Sequence, residues 1–299
     1  MDEAEQVSQE ALTLTVQLYG EHHASTARAR TTVAGIVRGR GRLREAEPLF
    51  RQIVDYWVRH EGRTHPYAVS SIANLAATLR DLGRFEEAEP LQREVVEQMS
   101  VHLGDRHPHY GRCLVHLAAT LLHTDRLEEA GHLLTQAYDV ASSAHGENHP
   151  EVTHVLHHQA RLADRCQTWD AARESYDRVT ARYRQELGPE HPTTLVAQAE
   201  RAAVLVRLGD VTAGERALRE ALSQLSSRVP RPHPDLAWVN LELASALHLQ
   251  ARESEARPYF QEALALRRLL YGSPDHGPGS ARARELQAML LPDTPVAPD

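Results

Sequence analysis

The sequence predicts an all-α protein, a solenoid in which antiparallel helix pairs are stacked one after another, and three observations lead to this fold class. The phrase Gly-x-x-His-Pro returns at intervals of forty-two residues, and periods in this range are typical of stacked repeats. Between two copies, apolar residues recur with helical spacing in two separate segments. The composition is 41% hydrophobic and only 5% aromatic, which favours closely packed helices over sheets.

The repeated phrase sets the number and the limits of the repeats. Complete copies begin at Gly62, Gly104, Gly146 and Gly188. Incomplete copies keep the spacing on both sides, since His23 has no proline after it and His233-Pro234 has no glycine before it. The pattern predicts six repeats over residues 22–272. Because each repeat packs only on its neighbours, we expect one elongated domain over residues 1–291.

The chain begins with half of a repeat. Residues 1–19 are predicted to form the second helix of a pair whose first helix is missing, and Ala4 occupies a position that is alanine in most later second helices. We expect this helix to cap the array. Alternatively, the chain is a segment of a larger protein, such as the sensing arm of a signalling NTPase.

Each complete repeat is predicted to hold two helices, and the second repeat shows the signals. Pro66 opens the first helix at a position where the missing N–H costs nothing, and apolar residues follow at helical spacing as far as Leu82. Gly83 ends this helix because glycine adopts a positive φ without strain. The second helix begins at Phe85 and ends at Gly104, so tight and longer turns alternate along the chain.

The chain ends with a short helix and a tail. Residues 280–291 are predicted to form a capping helix that covers the apolar face of the last pair. Residues 292–299 are rich in proline, and we expect this tail to be disordered because it has too little apolar surface to bury.

Alignment of the repeats predicts where the two helices of a pair approach most closely. One position of the first helix is alanine in every repeat: Ala34, Ala76, Ala118, Ala160, Ala202 and Ala244. One position of the second helix is almost as uniform: Ala46, Ala88, Ala130, Ala172, Gly214 and Ala256. Such small side chains allow an axial separation near the lower end of the usual ~8–10 Å range. At the position of Leu75, the fourth and fifth repeats instead carry Gln159 and Arg201, which we interpret as a bend or a partner site.

The residues around the tight turn resemble a known family. The second repeat reads Asn74-Leu75-Ala76, Gly83-Arg84-Phe85-Glu86-Glu87-Ala88-Glu89-Pro90-Leu91 and Gly104-x-x-His107-Pro108, and the first repeats it as Gly41-Arg42-Leu43-Arg44-Glu45-Ala46-Glu47-Pro48-Leu49. Over residues 1–272 the chain resembles the kinesin-light-chain type of tetratricopeptide repeat (TPR). The resemblance implies a right-handed superhelix whose first helices line a concave groove that binds other molecules.

The inner face of the first helices is the predicted binding groove. The residues expected to contact a protein or peptide partner are Tyr67, Asn74, His109, Arg112, His116, His154, His158, Glu200, Arg207, Trp238 and Glu242, and Thr78, Asp81 and His123 lie on the same stripe. This stripe is polar and of mixed charge, which suits an extended peptide or a partner's helix, with Tyr67 and Trp238 as aromatic anchors. In the family that the chain resembles, the asparagine of Asn-Leu-Ala tends to hold the peptide backbone. Only Asn74 matches here, so we expect a different ligand chemistry.

The groove histidines support a second hypothesis, an enzyme or a metal-binding protein. His154 and His158 are four residues apart on one helix face, while His116 and Glu200 hold the equivalent position one repeat earlier and one repeat later. Such side chains are zinc ligands. No nucleophile motif, phosphate-binding glycine loop or cysteine pair accompanies them, so the preferred prediction is a protein without catalysis and without a cofactor. The five histidines of the His-Pro phrase are predicted to be structural, since each precedes a helix start.

Composition disfavours several other classes of protein, among them nucleic-acid-binding and membrane proteins. The formal charge is −8 and all 33 basic residues are arginine, and without a basic block the chain is a poor candidate for binding nucleic acid. No stretch reaches the roughly 18 apolar residues that span a bilayer, and the acidic N-terminus does not resemble a signal peptide. Cys113 and Cys166 fall at different places in their repeats and do not suggest a disulfide. We expect a protein of the cytoplasm.

Overall fold

The computed structural model describes residues 3–273, 277 and 279–291, and every regular element in these ranges is an α-helix. In chain order the helices are α1 (Glu3–Tyr19), α2 (Ala24–Gly39), α3 (Leu43–Glu61), α4 (Pro66–Asp81), α5 (Phe85–Leu103), α6 (Pro108–His123), α7 (Leu127–His145), α8 (Pro150–Arg165), α9 (Trp169–Glu186), α10 (Pro192–Arg207), α11 (Val211–Leu225), α12 (Pro234–Leu249), α13 (Glu253–Tyr271) and α14 (Ser280–Leu290). The predicted all-α solenoid is confirmed. The tail over 292–299, predicted to be disordered, lies outside the described residues.

The helices stack in chain order. Each helix packs on the next one, and the first helices of some neighbouring repeats also touch, as α6 and α8 do. At one end α14 packs on α12 and α13 and buries Ala283, Leu286 and Leu290. At the other end Ala4 on α1 is exposed. None of the described helices is both long enough and apolar enough to cross a lipid bilayer.

The histidine of the repeated phrase caps the first helix of every repeat. His65 precedes α4 in an extended conformation, and its Nδ1 accepts a hydrogen bond from the backbone N–H of Tyr67 at 3.4 Å. The equivalent bonds of His23, His107, His149, His191 and His233 are 3.1 to 3.2 Å long. Each bond satisfies an N–H that has no partner inside the helix. The structural role predicted for these histidines is confirmed.

Small side chains set the spacing within each pair. All six alanines of the first-helix position are 0% exposed, and so are the alanines of the second-helix position. Gly214 takes the place of alanine in α11, and a Cβ there would lie 2.5 Å from Cγ2 of Val206 and 2.8 Å from the carbonyl oxygen of Ala202. The two helices of the fifth repeat therefore approach too closely for even a methyl group.

Arginine at the tight turn links neighbouring repeats through glutamates. Arg84 pairs with Glu87 in its own repeat at 2.6 Å and with Glu47 in the preceding repeat at 3.3 Å. The equivalent contacts join Arg42 to Glu45 and Glu5, Arg126 to Glu129 and Glu89, and Arg252 to Glu255 and Glu215. Thr168 and Asp210 replace the arginine in the fourth and fifth repeats. These pairs explain the recurrence of Gly-Arg-x-x-Glu-Ala-Glu, and the fourth and fifth repeats differ from the rest.

The two polar residues of the Leu75 position find partners within the array. Nε2 of Gln159 donates to the carbonyl oxygen of Leu134 at 3.5 Å, and Arg201 forms an ion pair with Asp177 on α9. Both side chains are half-buried. The contacts therefore account for these residues without the bend or the partner site that the sequence suggested.

The array curves so strongly that its last repeat touches its first. α3 contacts α13, and a Cβ added at Gly41 would lie 2.5 Å from the carbonyl oxygen of Pro232. A Cβ added at Gly272 would lie 3.1 Å from Nη1 of Arg44. The first helices of the six repeats therefore surround a central space, and this space is the predicted groove.

Candidate functional site

The predicted groove residues differ widely in exposure. Tyr67, His109, Arg112, His116 and Arg207 are exposed, whereas Asn74, His154, Glu200, Trp238 and Glu242 are half-buried. His158 is only 7% exposed. Thr78, on the same stripe, is fully buried and donates a hydrogen bond to the carbonyl oxygen of Asn74. The surface that a partner can reach is therefore narrower than the sequence predicted.

The central space is narrow enough for charges on distant repeats to affect one another. Burial raises the pKa of Asp235 on α12, and the carboxylate of Asp81 on α4 contributes to this shift. Burial also raises the pKa of Tyr271, at the end of α13, to about 12, again with a contribution from Asp81. Since α4 and α12 belong to the second and sixth repeats, the groove has opposite walls rather than one open face.

One cluster of charges joins the first three repeats. Asp81 accepts hydrogen bonds from Arg38 on α2 at 2.7 Å and from Arg80 at 2.8 Å. Burial would raise the pKa of Asp81, but the two guanidinium groups together lower it. Nη1 of Arg80 also lies 3.1 Å from Nδ1 of His116. Desolvation and the charge of Arg80 lower the pKa of His116 to about 3, so His116 is neutral and accepts this hydrogen bond.

A second cluster joins the fourth and fifth repeats around Glu200. Its carboxylate accepts a hydrogen bond from Nε of Arg161 at 2.7 Å and another from Nε2 of the buried His157. Nδ1 of His157 lies 3.3 Å from the hydroxyl of Tyr183. Burial would raise the pKa of Glu200, but Arg161 and His157 lower it to about 2. Glu200 is therefore an ionised internal partner rather than a free groove residue.

Arg207, on the fifth repeat, contacts both the fourth and the sixth repeat. Its guanidinium lies 3.4 Å from Asp164 on one side and 3.4 Å from Glu242 on the other. Burial raises the pKa of Asp164, against the opposing charge of Arg207. At this end of the groove, the charged side chains therefore form ion pairs with one another.

The histidines at the middle of the groove are neutral. Desolvation lowers the pKa of His123 and of His154 to about 4 each, and lowers the pKa of His158 well below its usual value. The rings of His154 and His158 meet edge to face with centroids 4.9 Å apart, and Nδ1 of His158 is buried without a hydrogen-bond partner. Each neutral imidazole offers one donor and one acceptor.

The two predicted aromatic anchors are not equivalent. Tyr67 is 48% exposed and packs against Trp57 with ring centroids 4.7 Å apart. Trp238 is half-buried and packs against the apolar core of the last two repeats. Tyr67 therefore presents the more accessible aromatic surface, and Trp238 mainly stabilises the array.

The four predicted metal ligands are not brought to one point. His116 contacts Arg80 and Glu200 contacts His157 and Arg161, so only His154 and His158 meet. Within the described ranges, one other group has three ligand atoms within 4.8 Å of one another: His145, His149 and Glu151. Its chemistry disfavours a metal, because Nδ1 of His149 accepts the N–H of Glu151. The proton of that neutral ring is then on Nε2, and ligation through Nε2 would break the helix cap.

Sequence reasoning missed His157 and Arg161, although the repeat alignment contains a signal for both. The equivalents of His157 are Thr31, Ala73, Val115, Ala199 and Leu241, and the equivalents of Arg161 are Gly35, Ala77, Ala119, Ala203 and Ser245. A histidine and an arginine at positions that are otherwise small or apolar indicate a buried polar contact, since a buried charge needs a partner. That partner is Glu200, which lies one repeat later on the neighbouring first helix.

Comparison with known families agrees with the repeat pattern. Profiles described as tetratricopeptide repeat match residues 1–57, 68–141 and 194–268, and a second profile with the same description matches residues 154–193. No curated protein gives a significant match.

Solved structures with the same architecture include both Rap proteins and kinesin light chain repeats. The apo form of RapI has a TM-score of 0.68 at 13% identity, over 91% of this chain and 94% of that one. A Rap protein in complex with Competence and Sporulation Factor has a TM-score of 0.61 at 8% identity, over 97% and 84%. The nearly identical TPR-like repeats of a kinesin light chain protein from Podosopora anserina have a TM-score of 0.51 at 24% identity, over 67% and 94%. These likenesses show a shared fold, and the resemblance drawn from the sequence is confirmed.

Proposed function

This chain belongs to the tetratricopeptide repeat family, whose members of this architecture are protein-interaction scaffolds, and from that premise we propose that its central groove binds a peptide or an extended segment of a partner protein. The proposal assigns the chain no catalytic step of its own. Binding in a concave groove follows from the way in which repeat arrays present one continuous inner surface.

The observation that carries the proposal is the row of accessible polar side chains on the inner face. Tyr67 on α4 and Arg112, His116 and His123 on the next first helix, α6, are exposed. The two histidines are neutral because their pKa values are lowered to about 3 and about 4. A neutral imidazole has one donor and one acceptor. Nδ1 of His116 already accepts from Arg80, so His116 can donate to a peptide C=O, whereas His123 can donate or accept. The row therefore suits a backbone in extended conformation more than a compact charged ligand.

The charge pattern adds a second argument. Arg38, Arg80, Arg161 and Arg207 are all engaged with carboxylates of the chain, so the groove does not present a block of free positive charge. A partner with mixed or low charge meets less electrostatic opposition here than a strongly acidic one. A Rap protein of the same fold was solved with a bound factor, which supports the use of this architecture for ligand binding.

A random heptapeptide phage library tests the proposal and needs no identified partner. Panning on the purified protein should enrich a related set of sequences. A groove variant with Tyr67→Ala, His116→Ala and His123→Ala should lose that enrichment while it keeps its helical circular dichroism. The matched control places Arg59→Ala, His102→Ala and Arg178→Ala on exposed positions of second helices and should bind as the native chain does. Equal enrichment on the groove variant would refute binding in the groove.

The alternative hypothesis, an enzyme or metal protein that uses the histidine cluster, has less support. Only His154 and His158 of its four residues meet, and Glu200 is held by Arg161 and His157. Elemental analysis of the purified protein tests it, since a stoichiometric transition metal would favour the alternative. A role as the sensing arm of a larger signalling NTPase stays a prediction from the sequence.

A further inference from the structure

A cavity opens into the groove between the third and fourth repeats. Its volume is about 270 Å³, and α6, α7 and α8 form its walls. The apolar lining comes from Pro108, Gly111, Val115, Ala141, Pro150 and Val155. Three polar side chains complete the lining: Arg112, Glu151 and His154.

The cavity exists because one large side chain is missing from the repeat pattern. The equivalents of Ala141 on the other second helices are Trp57, Met99, Tyr183, Leu225 and Arg267. Trp57, Tyr183 and Leu225 are 0 to 3% exposed, so they occupy the space between neighbouring first helices. Gly111 also lines the cavity, and a Cβ added there would meet Cγ1 of Val140 on α7 at 3.1 Å. The third repeat is therefore the one whose second helix carries a small residue at the position of Ala141.

The size of the cavity limits its occupant to a small molecule or a single side chain. An apolar cavity of roughly 150 Å³ is enough to bind benzene, so the larger volume here accepts a benzyl group or a branched aliphatic chain. Because the walls are apolar, that part of the ligand gains free energy by leaving water. The walls do not distinguish among apolar groups of similar size.

The polar residues at the edge of the cavity determine which kind of apolar ligand binds. Nη1 of Arg112 lies 3.6 Å from Oε1 of Glu151, and no hydrogen bond from the guanidinium of Arg112 is found among the described residues. Glu151 also lies 3.3 Å from Nε2 of His145. The neutral ring of His154, whose pKa is lowered to about 4 by desolvation, stands beside them. The edge of the cavity thus carries one cation and one anion side by side, and the exposed guanidinium of Arg112 can be reached by a ligand.

We propose that this cavity binds a free apolar α-amino acid of the size of leucine or phenylalanine. The side chain enters the cavity, the carboxylate contacts the guanidinium of Arg112, and the ammonium group contacts the carboxylate of Glu151. An arginine guanidinium matches a carboxylate with two parallel hydrogen bonds. A residue at either end of a peptide has only one of the two charges, so a free amino acid alone uses both side chains. This inference goes beyond the proposed peptide binding and does not depend on it.

Isothermal titration calorimetry with L-phenylalanine and L-leucine tests the proposal on the full chain. We expect saturable binding with one site per chain. N-acetyl-L-phenylalanine lacks the ammonium group and L-phenylalanine amide lacks the carboxylate, and each should bind on the order of tenfold more weakly because one charged contact is lost. Equal binding of L-phenylalanine and either analogue would assign the cavity to a peptide end and overturn the proposal, as would the absence of saturable binding.

Two variants locate the site. Ala141→Met places at this position the residue that Met99 supplies one repeat earlier, so it should occupy the cavity and abolish L-phenylalanine binding. Arg112→Gln should weaken the binding of L-phenylalanine on the order of tenfold. The affinity for L-phenylalanine amide should not change, since the amide has no carboxylate to contact Arg112. Arg106→Gln, on an exposed arginine outside the cavity, is the matched control. If Ala141→Met does not fold, Arg112→Gln and Arg106→Gln still test the site. Equal effects of these two variants on L-phenylalanine affinity would contradict the proposal.

Discussion

Glu200 is the residue on which the middle of the groove depends most. Its carboxylate accepts hydrogen bonds from Arg161 and from His157, which is 3% exposed. A buried ion pair is a modest source of stability while both partners are present, but removal of one partner leaves a charge without compensation. The free energy of unfolding should therefore be far more sensitive to Glu200 than to an exposed glutamate.

We predict that Glu200→Ala lowers the free energy of unfolding by about 2 kcal/mol, because the buried His157 loses its hydrogen-bond acceptor and the half-buried Arg161 loses its ion-pair partner. Urea unfolding followed by circular dichroism measures this change. The matched control is Glu190→Ala, since Glu190 is 71% exposed and pairs with Arg228 at the surface, where such pairs contribute less than about 1 kcal/mol.

The pH dependence of the same variant provides an independent check. The pKa of Glu200 is lowered to about 2 in the folded chain from 4.5, so its contribution to stability is present above pH 4.5 and is lost as the pH falls toward 2. The native chain should therefore lose more stability than Glu200→Ala between pH 5 and pH 3. Parallel pH profiles for the two proteins would show that the carboxylate is not held as the contacts indicate.

At the scale of the helix pair, the axial distance is set by side chains of one carbon atom or none. The first-helix alanines are fully buried in all six repeats. In the fifth repeat the two helices lie closer still, at Gly214. Glycine within a helix normally costs stability relative to alanine. Its presence in α11 is explained by the contact with Val206 and the backbone of Ala202 rather than by helix propensity.

We predict that Gly214→Ala destabilises the protein by about 2 kcal/mol, since the added methyl group overlaps Val206 and forces the helices apart. Gly131→Ala is the matched control within α7. A Cβ there would meet only Cδ2 of Leu162 at an ordinary 3.4 Å, so helix propensity should stabilise the chain by about 1 kcal/mol. Thermal unfolding of the two variants should shift in opposite directions, and a shared direction would contradict the close approach in the fifth repeat.

At the scale of the whole molecule, the contact between the first and last repeats determines the shape of the groove. An open array would present one concave face, whereas the contact of α3 with α13 surrounds the space with first helices. Gly41 lies at one close point of this contact, beside the carbonyl of Pro232. Under the proposed groove binding, a partner in this space would lie within reach of both ends of the array.

We predict that Gly41→Ala separates the two ends, because its Cβ would lie 2.5 Å from the carbonyl oxygen of Pro232. Small-angle X-ray scattering should then give a larger radius of gyration than for the native chain. Gly209 is four repeats away at the equivalent turn position, also has a positive φ and has nothing within 4 Å of an added Cβ. Gly209→Ala therefore introduces the same backbone strain without the contact, and an equal radius of gyration for the two variants would exclude the closure.

The sequence by itself determined the helix pairs, their number and their caps, because these follow from signals within one repeat. Pro66 and Gly83 act on the backbone at their own positions, and His65 caps the helix two residues away. The alanine positions fix the spacing within a pair for the same reason. Such local signals recur in each copy, so alignment of the copies makes them visible without a structure.

Only the tertiary structure decided which groove residues are free and which are engaged. The sequence pattern predicts Glu200 as a groove residue, yet its carboxylate pairs with Arg161 and His157 from the preceding repeat. The contact of Gly41 with Pro232 joins residues from opposite ends of the array. The curvature that brings these ends together is the sum of small rotations between repeats. A sequence pattern fixes the interval between repeats but not the angle between them.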